Sequence, residues 1–121
     1  MTILCYDKCT TCRKALKWLD GKGVPYSVRP IKEEHPSIDE LRAWYRKSGL
    51  PLRRFFNTSG MLYRELGLKD RLDTMSEEEQ LALLASDGML VKRPLLVSEK
   101  AVIPGFKEKD WEALLYDKRR G

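Results

Sequence analysis

The sequence predicts an α/β domain in which a β-α-β unit and a β-β-α unit flank a block of helices. Three observations carry this expectation. A short apolar run, Ile3-Leu4-Cys5-Tyr6, is followed by helical periodicity and then by a second strand-like segment. The stretch from about residue 31 to 88 holds two helix-start signatures and several stops, with no strand pattern. Beyond it, two apolar triplets flank Ser98-Glu99-Lys100 and precede a last amphipathic segment. At 121 residues one domain is expected. Its outer portions cover about 1–31 and 89–121, with an insertion at about 32–88.

The elements follow in order. Thr2 to Tyr6 reads as a buried strand. The next helix places Cys12, Ala15, Leu16 and Leu19 on one stripe, and Asp20-Gly21-Lys22-Gly23 ends it with a glycine suited to a left-handed cap. Val24 to Ile31 is a second strand, with Pro25 and Pro30 near its ends. The helical crossover between these strands makes them parallel. Ser37-Ile38-Asp39-Glu40 is a capping box and starts a helix that Ser48-Gly49 stops. Pro51 opens a short helix toward Phe55-Phe56. Asn57 to Gly60 is a turn, and Met61 to Leu66 a short helix closed by Gly67. Ser76-Glu77-Glu78-Glu79 is a second capping box, and its helix ends at Asp87-Gly88. Leu95-Leu96-Val97 and Ala101-Val102-Ile103 form a hairpin that Pro104-Gly105 breaks. Lys107 to Tyr116 is the last helix, with Trp111, Leu114 and Leu115 facing inward.

Composition narrows the function classes. No segment approaches ~20 consecutive apolar residues, and no basic segment with a long apolar run opens the chain, so neither a membrane span nor a signal peptide is expected. The expected location is the cytoplasm, and a monomer is expected because no long apolar stripe is left over. The net charge of +5 suits attraction of anionic substrates or an acidic partner. Direct nucleic-acid binding is not expected, because basic residues alternate with acidic ones, as in Lys107-Glu108-Lys109-Asp110. The densest basic run, Lys118-Arg119-Arg120, is read as a solvated tail.

Three cysteines are too few for a disulfide scaffold. Cys9-Thr10-Thr11-Cys12 lies between the first strand and the first helix, so Cys9 falls at or just before a helix N-terminus, a position that favours a thiolate. Cys12, one turn on, can resolve a mixed disulfide on Cys9. A structural zinc site needs four ligands, and only Cys5 and the lone His35 remain, so no metal is expected. Cys5 is read as a small core residue and His35 as a solvated loop residue. Arg93 is the leading non-cysteine candidate, since its guanidinium can steady a thiolate or hold an oxyanion through two parallel N–H bonds. Lys8 and Arg13 can add positive potential, whereas Trp18, Trp44 and Trp111 are read as packing residues.

Cys9-Thr10-Thr11-Cys12-Arg13-Lys14-Ala15, Tyr63-Arg64-Glu65-Leu66-Gly67-Leu68, Lys92-Arg93-Pro94-Leu95 and Gly105-Phe106 resemble segments of the arsenate reductase (ArsC)/Spx family. The resemblance implies a thioredoxin-like fold with a helical insertion. It makes Cys9 the reactive cysteine, Arg93 an oxyanion- or thiolate-binding arginine, and Pro94 a cis-proline beside the site. Thr10, Thr11 and Arg13 join Pro94 as substrate-binding candidates. Of three arginines that surround the oxyanion in glutaredoxin-linked arsenate reductases, only Arg93 is present; Asn57 and Gly105 hold the other two positions. The dithiol branch of the family, which includes Spx, therefore matches better.

The expected activity is that of a thiol–disulfide oxidoreductase or arsenate reductase-like protein. Cys9 is its nucleophile and Cys12 its resolving thiol. It binds no cofactor and is reduced by glutathione, glutaredoxin or thioredoxin. The second expectation is an Spx-type redox-sensing regulator that binds the C-terminal domain of the RNA polymerase α-subunit, with Gly49 at the contact.

Overall fold

A computed structural model describes residues 1–116; the basic run at 118–120 lies outside the described residues. Strands β1 (Thr2–Cys5), β2 (Ser27–Pro30), β3 (Leu95–Val97) and β4 (Val102–Pro104) form one sheet in the order β2-β1-β3-β4. β1 pairs parallel with β2 and antiparallel with β3, and β3 pairs antiparallel with β4. The parallel pair is joined by helix α1 (Thr10–Lys22), the antiparallel pair is a hairpin, and α6 (Glu108–Leu115) follows it. This is the thioredoxin-like arrangement that the sequence predicts.

The central strand is buried on both faces because successive side chains point to opposite sides. Ile3 and Cys5 pack with Cys12, Ala15 and Leu19 of α1, Leu96 of β3 and Trp111 of α6. Leu4 packs on the other side with Leu95, Val102 and the apolar residues of the insertion. Under α1, Trp18, Phe106 and Trp111 meet edge to face, with centroid separations of 4.9–6.4 Å. The buried Trp111 indole N–H donates to the Gly105 carbonyl at 3.1 Å.

The insertion comprises α2 (Ile38–Ser48), α3 (Met61–Glu65), α4 (Leu68–Arg71) and α5 (Glu77–Ser86), with 3₁₀ turns at Leu52–Phe55, Leu72–Thr74 and Gly88–Leu90. Both capping boxes form: the Ser37 hydroxyl accepts from Glu40 N–H and the Ser76 hydroxyl from Glu79 N–H, each at 3.1 Å. Glu40 also ties α2 to the sheet. Its carboxylate accepts two guanidinium bonds from Arg29 of β2, at 2.7 and 2.9 Å, while Arg29 Nε donates to the Glu34 carbonyl at 2.9 Å. The exit from the insertion is stitched at three points. Asn57 N–H donates to Leu90 O at 2.8 Å, Lys92 N–H donates to Phe55 O at 2.7 Å, and Phe56 bridges Val91. Gly88 passes directly over the end of β2: a Cβ there would lie 1.9 Å from the Ile31 carbonyl oxygen.

Three local differences from the sequence reading have physical causes. Strand β2 is shorter than 24–31, since Gly23 and Val24 bond back to the end of α1 through Asp20 O and Leu19 O. Gly67 does close α3, but in a left-handed conformation (φ 64°) that starts α4 immediately. Pro104 belongs to β4 opposite Leu95; on this edge strand its missing N–H interrupts no ladder.

The Arg29 fork, helped by the Ser37 bonds and opposed by desolvation, holds the Glu40 carboxyl at about 2. A depressed carboxyl stabilises the fold above the unfolded-state value near 4.5, and that contribution fades as pH falls toward about 2. Glu40→Gln is therefore expected to be less stable than wild type at pH 7, with the gap closing between about pH 4.5 and 2. Urea midpoints measured across that range check it, and a gap that persists unchanged at acid pH contradicts it.

Candidate active site

Cys9 is delivered by a tight turn at the end of β1. Its N–H donates to Tyr6 O at 3.0 Å, and Arg13 Nε reaches back from α1 to the Asp7 carbonyl at 3.1 Å. Cys9 is the α1 N-cap, with extended backbone and a half-buried side chain that makes no capping bond. Cys12 lies one turn later on the inward stripe and is 1% exposed. All three cysteines are free thiols.

Cys5, the last residue of β1, shares the α1-side core with Cys12, and Cys9 packs against that core. The Cys12 thiol interacts with those of both Cys5 and Cys9 and accepts from the Tyr6 backbone N–H. Its hydrogen bond with Cys5, and then burial, push the Cys12 thiol far up, whereas the same bond lowers Cys5 against the opposing effect of burial. Among the described residues no group of three or more His, Cys, Asp or Glu side chains is placed to hold a metal ion.

Cys9 opens onto a cavity of about 450 Å³ whose wall also carries Arg54, Asn57, Lys92, Arg93 and Lys107. No described carboxylate lines it. Four cations with no counter-charge on the wall make the cavity an anion-attracting one. Arg93 follows Lys92, at the exit of the insertion, and its bond to Pro94 is cis. Its guanidinium stacks over the Tyr6 ring (5.1 Å to the centroid), and Nη1 donates weakly to Met89 O at 3.4 Å. Arg93 Nε is buried with no protein partner. A buried donor without an acceptor is costly, so an acceptor supplied by a ligand would be favoured there.

The fold brings Cys9, Thr11 and Arg93 together on the cavity wall. Thr10 and Arg13 are exposed on the first turn of α1 and do not line the cavity. Pro94 is buried behind it and accepts from Gly105 N–H at 2.8 Å. Sequence reasoning missed Arg54, Lys92 and Lys107. They come from three separate segments, and only the doublets Arg53-Arg54 and Lys92-Arg93 beside apolar residues hinted at a positive face. Gly105 has φ 81°, a conformation that disfavours any side chain, and the Lys92 Cε methylene would sit 3.2 Å from a Cβ there. Lys92 thus occupies the space above the position that the resemblance assigns to another cation.

Residues 4–114 match the ArsC family. The chain belongs to the ArsC family. It is 57% identical over 112 residues to the uncharacterized protein YusI of Bacillus subtilis, covering 93% of this chain and 95% of that protein. A crystal structure of an ArsC family related protein from Bacteroides fragilis superimposes with a TM-score of 0.91 at 52% identity, covering 93% and 95% of the two chains. The global transcriptional regulator Spx of Staphylococcus haemolyticus is 28% identical over 120 residues, covering 99% of this chain and 90% of that protein. The ArsC-family domain therefore spans nearly the whole chain, insertion included.

Exposure ranks the thiols. Limiting iodoacetamide at neutral pH is expected to alkylate Cys9 first, with Cys12 and Cys5 slower by about tenfold or more, because both are buried and Cys12 is held protonated. Mass mapping over time checks this order, and equal rates at Cys9 and Cys12 would contradict it.

Proposed function

We propose that this ArsC-family protein is a thiol–disulfide oxidoreductase for anionic substrates, working as a monomer in a reducing cytoplasm. The observation that carries the reading is the half-buried Cys9 facing a cation-lined cavity, with the protonated Cys12 one helical turn behind it. The Cys9 thiolate attacks one sulfur of a substrate disulfide, and the other sulfur leaves as a thiolate. Cys12 then loses its proton and attacks Cys9 Sγ, which expels the second substrate thiolate and closes a Cys9–Cys12 disulfide. The substrate gains two electrons and the dithiol loses two. Glutathione, glutaredoxin or thioredoxin returns them by the same exchange in reverse.

Arg54, Lys92 and Lys107 draw the anionic substrate in, and Arg93 presents its unpartnered Nε toward an acceptor. Arsenate fits the same charge. Cys9 would displace an arsenate oxygen as water, Arg93 would hold the remaining oxygens, and thiol attack on Cys9 Sγ would leave arsenite with the electron pair. Only Arg93 keeps a place in the family's three-arginine pattern, with Asn57 and Gly105 at the other two positions, and this favours the disulfide as substrate.

The match to Spx along 99% of this chain supports a second reading, in which the same dithiol is a switch and the readout is binding to the C-terminal domain of the RNA polymerase α-subunit. Gly49 suits that contact. It is exposed, with φ 68°, at the end of α2 and borders a surface cleft with Tyr45, Arg46 and Glu77.

With glutathione disulfide as substrate, Cys9→Ser is expected to abolish turnover, and Cys12→Ser to stall with one glutathione on Cys9. Lys92→Gln combined with Lys107→Gln is expected to lower kcat/KM by about tenfold at low salt, a gap that narrows as salt rises. Turnover that survives Cys9→Ser would overturn the enzyme reading. Polymerase-domain binding in one redox state, without turnover and lost on changing Gly49, would establish the regulator instead.

A further inference from the structure

The two-cysteine cycle leaves Cys5 without a task. Yet Cys5 is 6% exposed at the end of β1, on the α1 side of the sheet, in the same core as Cys12 and Cys9. Strand parity puts it there: Ile3 and Cys5 face α1, whereas Leu4 faces the insertion. Its backbone is fixed, since Cys5 O accepts from Ile31 N–H at 2.8 Å and Cys5 pairs with Pro30 across the parallel ladder. Cys12 interacts with both other thiols, and most strongly with Cys5. Cys9 opens to the cavity, whereas Cys12 and Cys5 lie buried together in the core beside it.

We propose that Cys5 is the inner thiol of a three-cysteine relay, attacking the Cys12 sulfur of the Cys9–Cys12 disulfide to form a buried Cys5–Cys12 disulfide and release Cys9. This rests on the dithiol reading above. The Cys5 thiol gives up its proton, the Cys5–Cys12 bond forms, and the Cys9–Cys12 bond breaks. Cys9 leaves with the electron pair and takes up a proton. No electron enters or leaves the protein in this step, and the number of disulfides stays at one. The attack goes to Cys12 because that is the sulfur Cys5 touches.

The relay separates storage from reception. The disulfide moves to two residues that solvent hardly reaches, and Cys9 returns to the cavity as a thiol. A second disulfide substrate can then load Cys9, and this mixed disulfide persists because Cys12 is no longer free to resolve it. Reduction runs outward by the reverse path, with Cys9 attacking Cys12.

Tryptic mapping distinguishes the two disulfides. Trypsin cuts after Lys8 and Arg13, so Cys5 is carried by residues 1–8 while Cys9 and Cys12 share residues 9–13. The reduced full chain is treated with excess glutathione disulfide, quenched in acid, blocked with N-ethylmaleimide and digested without reductant. The expected product is fragment 1–8 joined to fragment 9–13, with maleimide or glutathione on Cys9, absent from Cys5→Ala and Cys12→Ser. A disulfide confined to fragment 9–13, with Cys5 blocked by maleimide, overturns the relay and leaves the dithiol reading standing. A link from Cys5 to Cys9 also overturns it. Absence of any disulfide in either fragment defeats the relay and the dithiol reading together. The wild-type map decides by itself, even if Cys5→Ala folds poorly.

Discussion

The structure depends on the burial of β1 from both sides. Three consecutive residues, Ile3, Leu4 and Cys5, must satisfy two cores at once, and the period of two in a strand does this only in one register. Leu4 anchors the insertion, while Ile3 and Cys5 anchor α1 and α6. With β2 on one edge and β3 on the other, the strand has no freedom to slide. That fixes where the chain leaves the sheet, and hence where Cys9 caps α1. The placement of Cys9 thus follows from core packing in a strand that ends four residues earlier.

The cation-lined cavity is assembled differently. Arg54 comes from the 3₁₀ turn after α2, Lys92 and Arg93 from the exit of the insertion, and Lys107 from the residue that caps α6. Backbone bonds between Phe55 and Lys92, and between Gly105 and Pro94, hold these segments against one another. The charge around Cys9 is therefore shared by parts of the chain far apart in sequence. Relative to the three-arginine pattern, the site has kept its positive character while changing its geometry. Lysines give point charges, whereas an arginine fork binds an oxyanion with fixed orientation.

Legibility followed the range of the interaction. The two capping boxes, the left-handed caps at Gly23 and Gly49, and the hairpin are set by residues within a few positions of one another, and each was readable from the sequence. So was the position of Cys9 before α1. The restart of a helix at Leu68 was not, because a glycine that ends one helix and begins another looks like an ordinary stop. Arg54, Lys92 and Lys107 were invisible as site residues, since only tertiary contacts bring them to Cys9. Cys5 was read correctly as a core residue, but its contact with Cys12 required knowing that α1 lies over the odd-numbered face of β1. Strand parity and the helical stripe through Cys12 together held that information.

The close passage of Gly88 over the Ile31 carbonyl has an architectural consequence. The chain departs the sheet just after Pro30 and comes back within van der Waals reach of that departure point. The four intervening helices form a closed excursion whose two ends are clamped together, like a bead on a pinched thread. Changes confined to the solvent-facing sides of these helices leave the clamp, the buried leucines that pack on β1 and the spacing of the strands unaltered. The half that carries the three thiols can hold still while the outer surface of the excursion is reshaped, so one scaffold can present the same cysteines to different macromolecular neighbours.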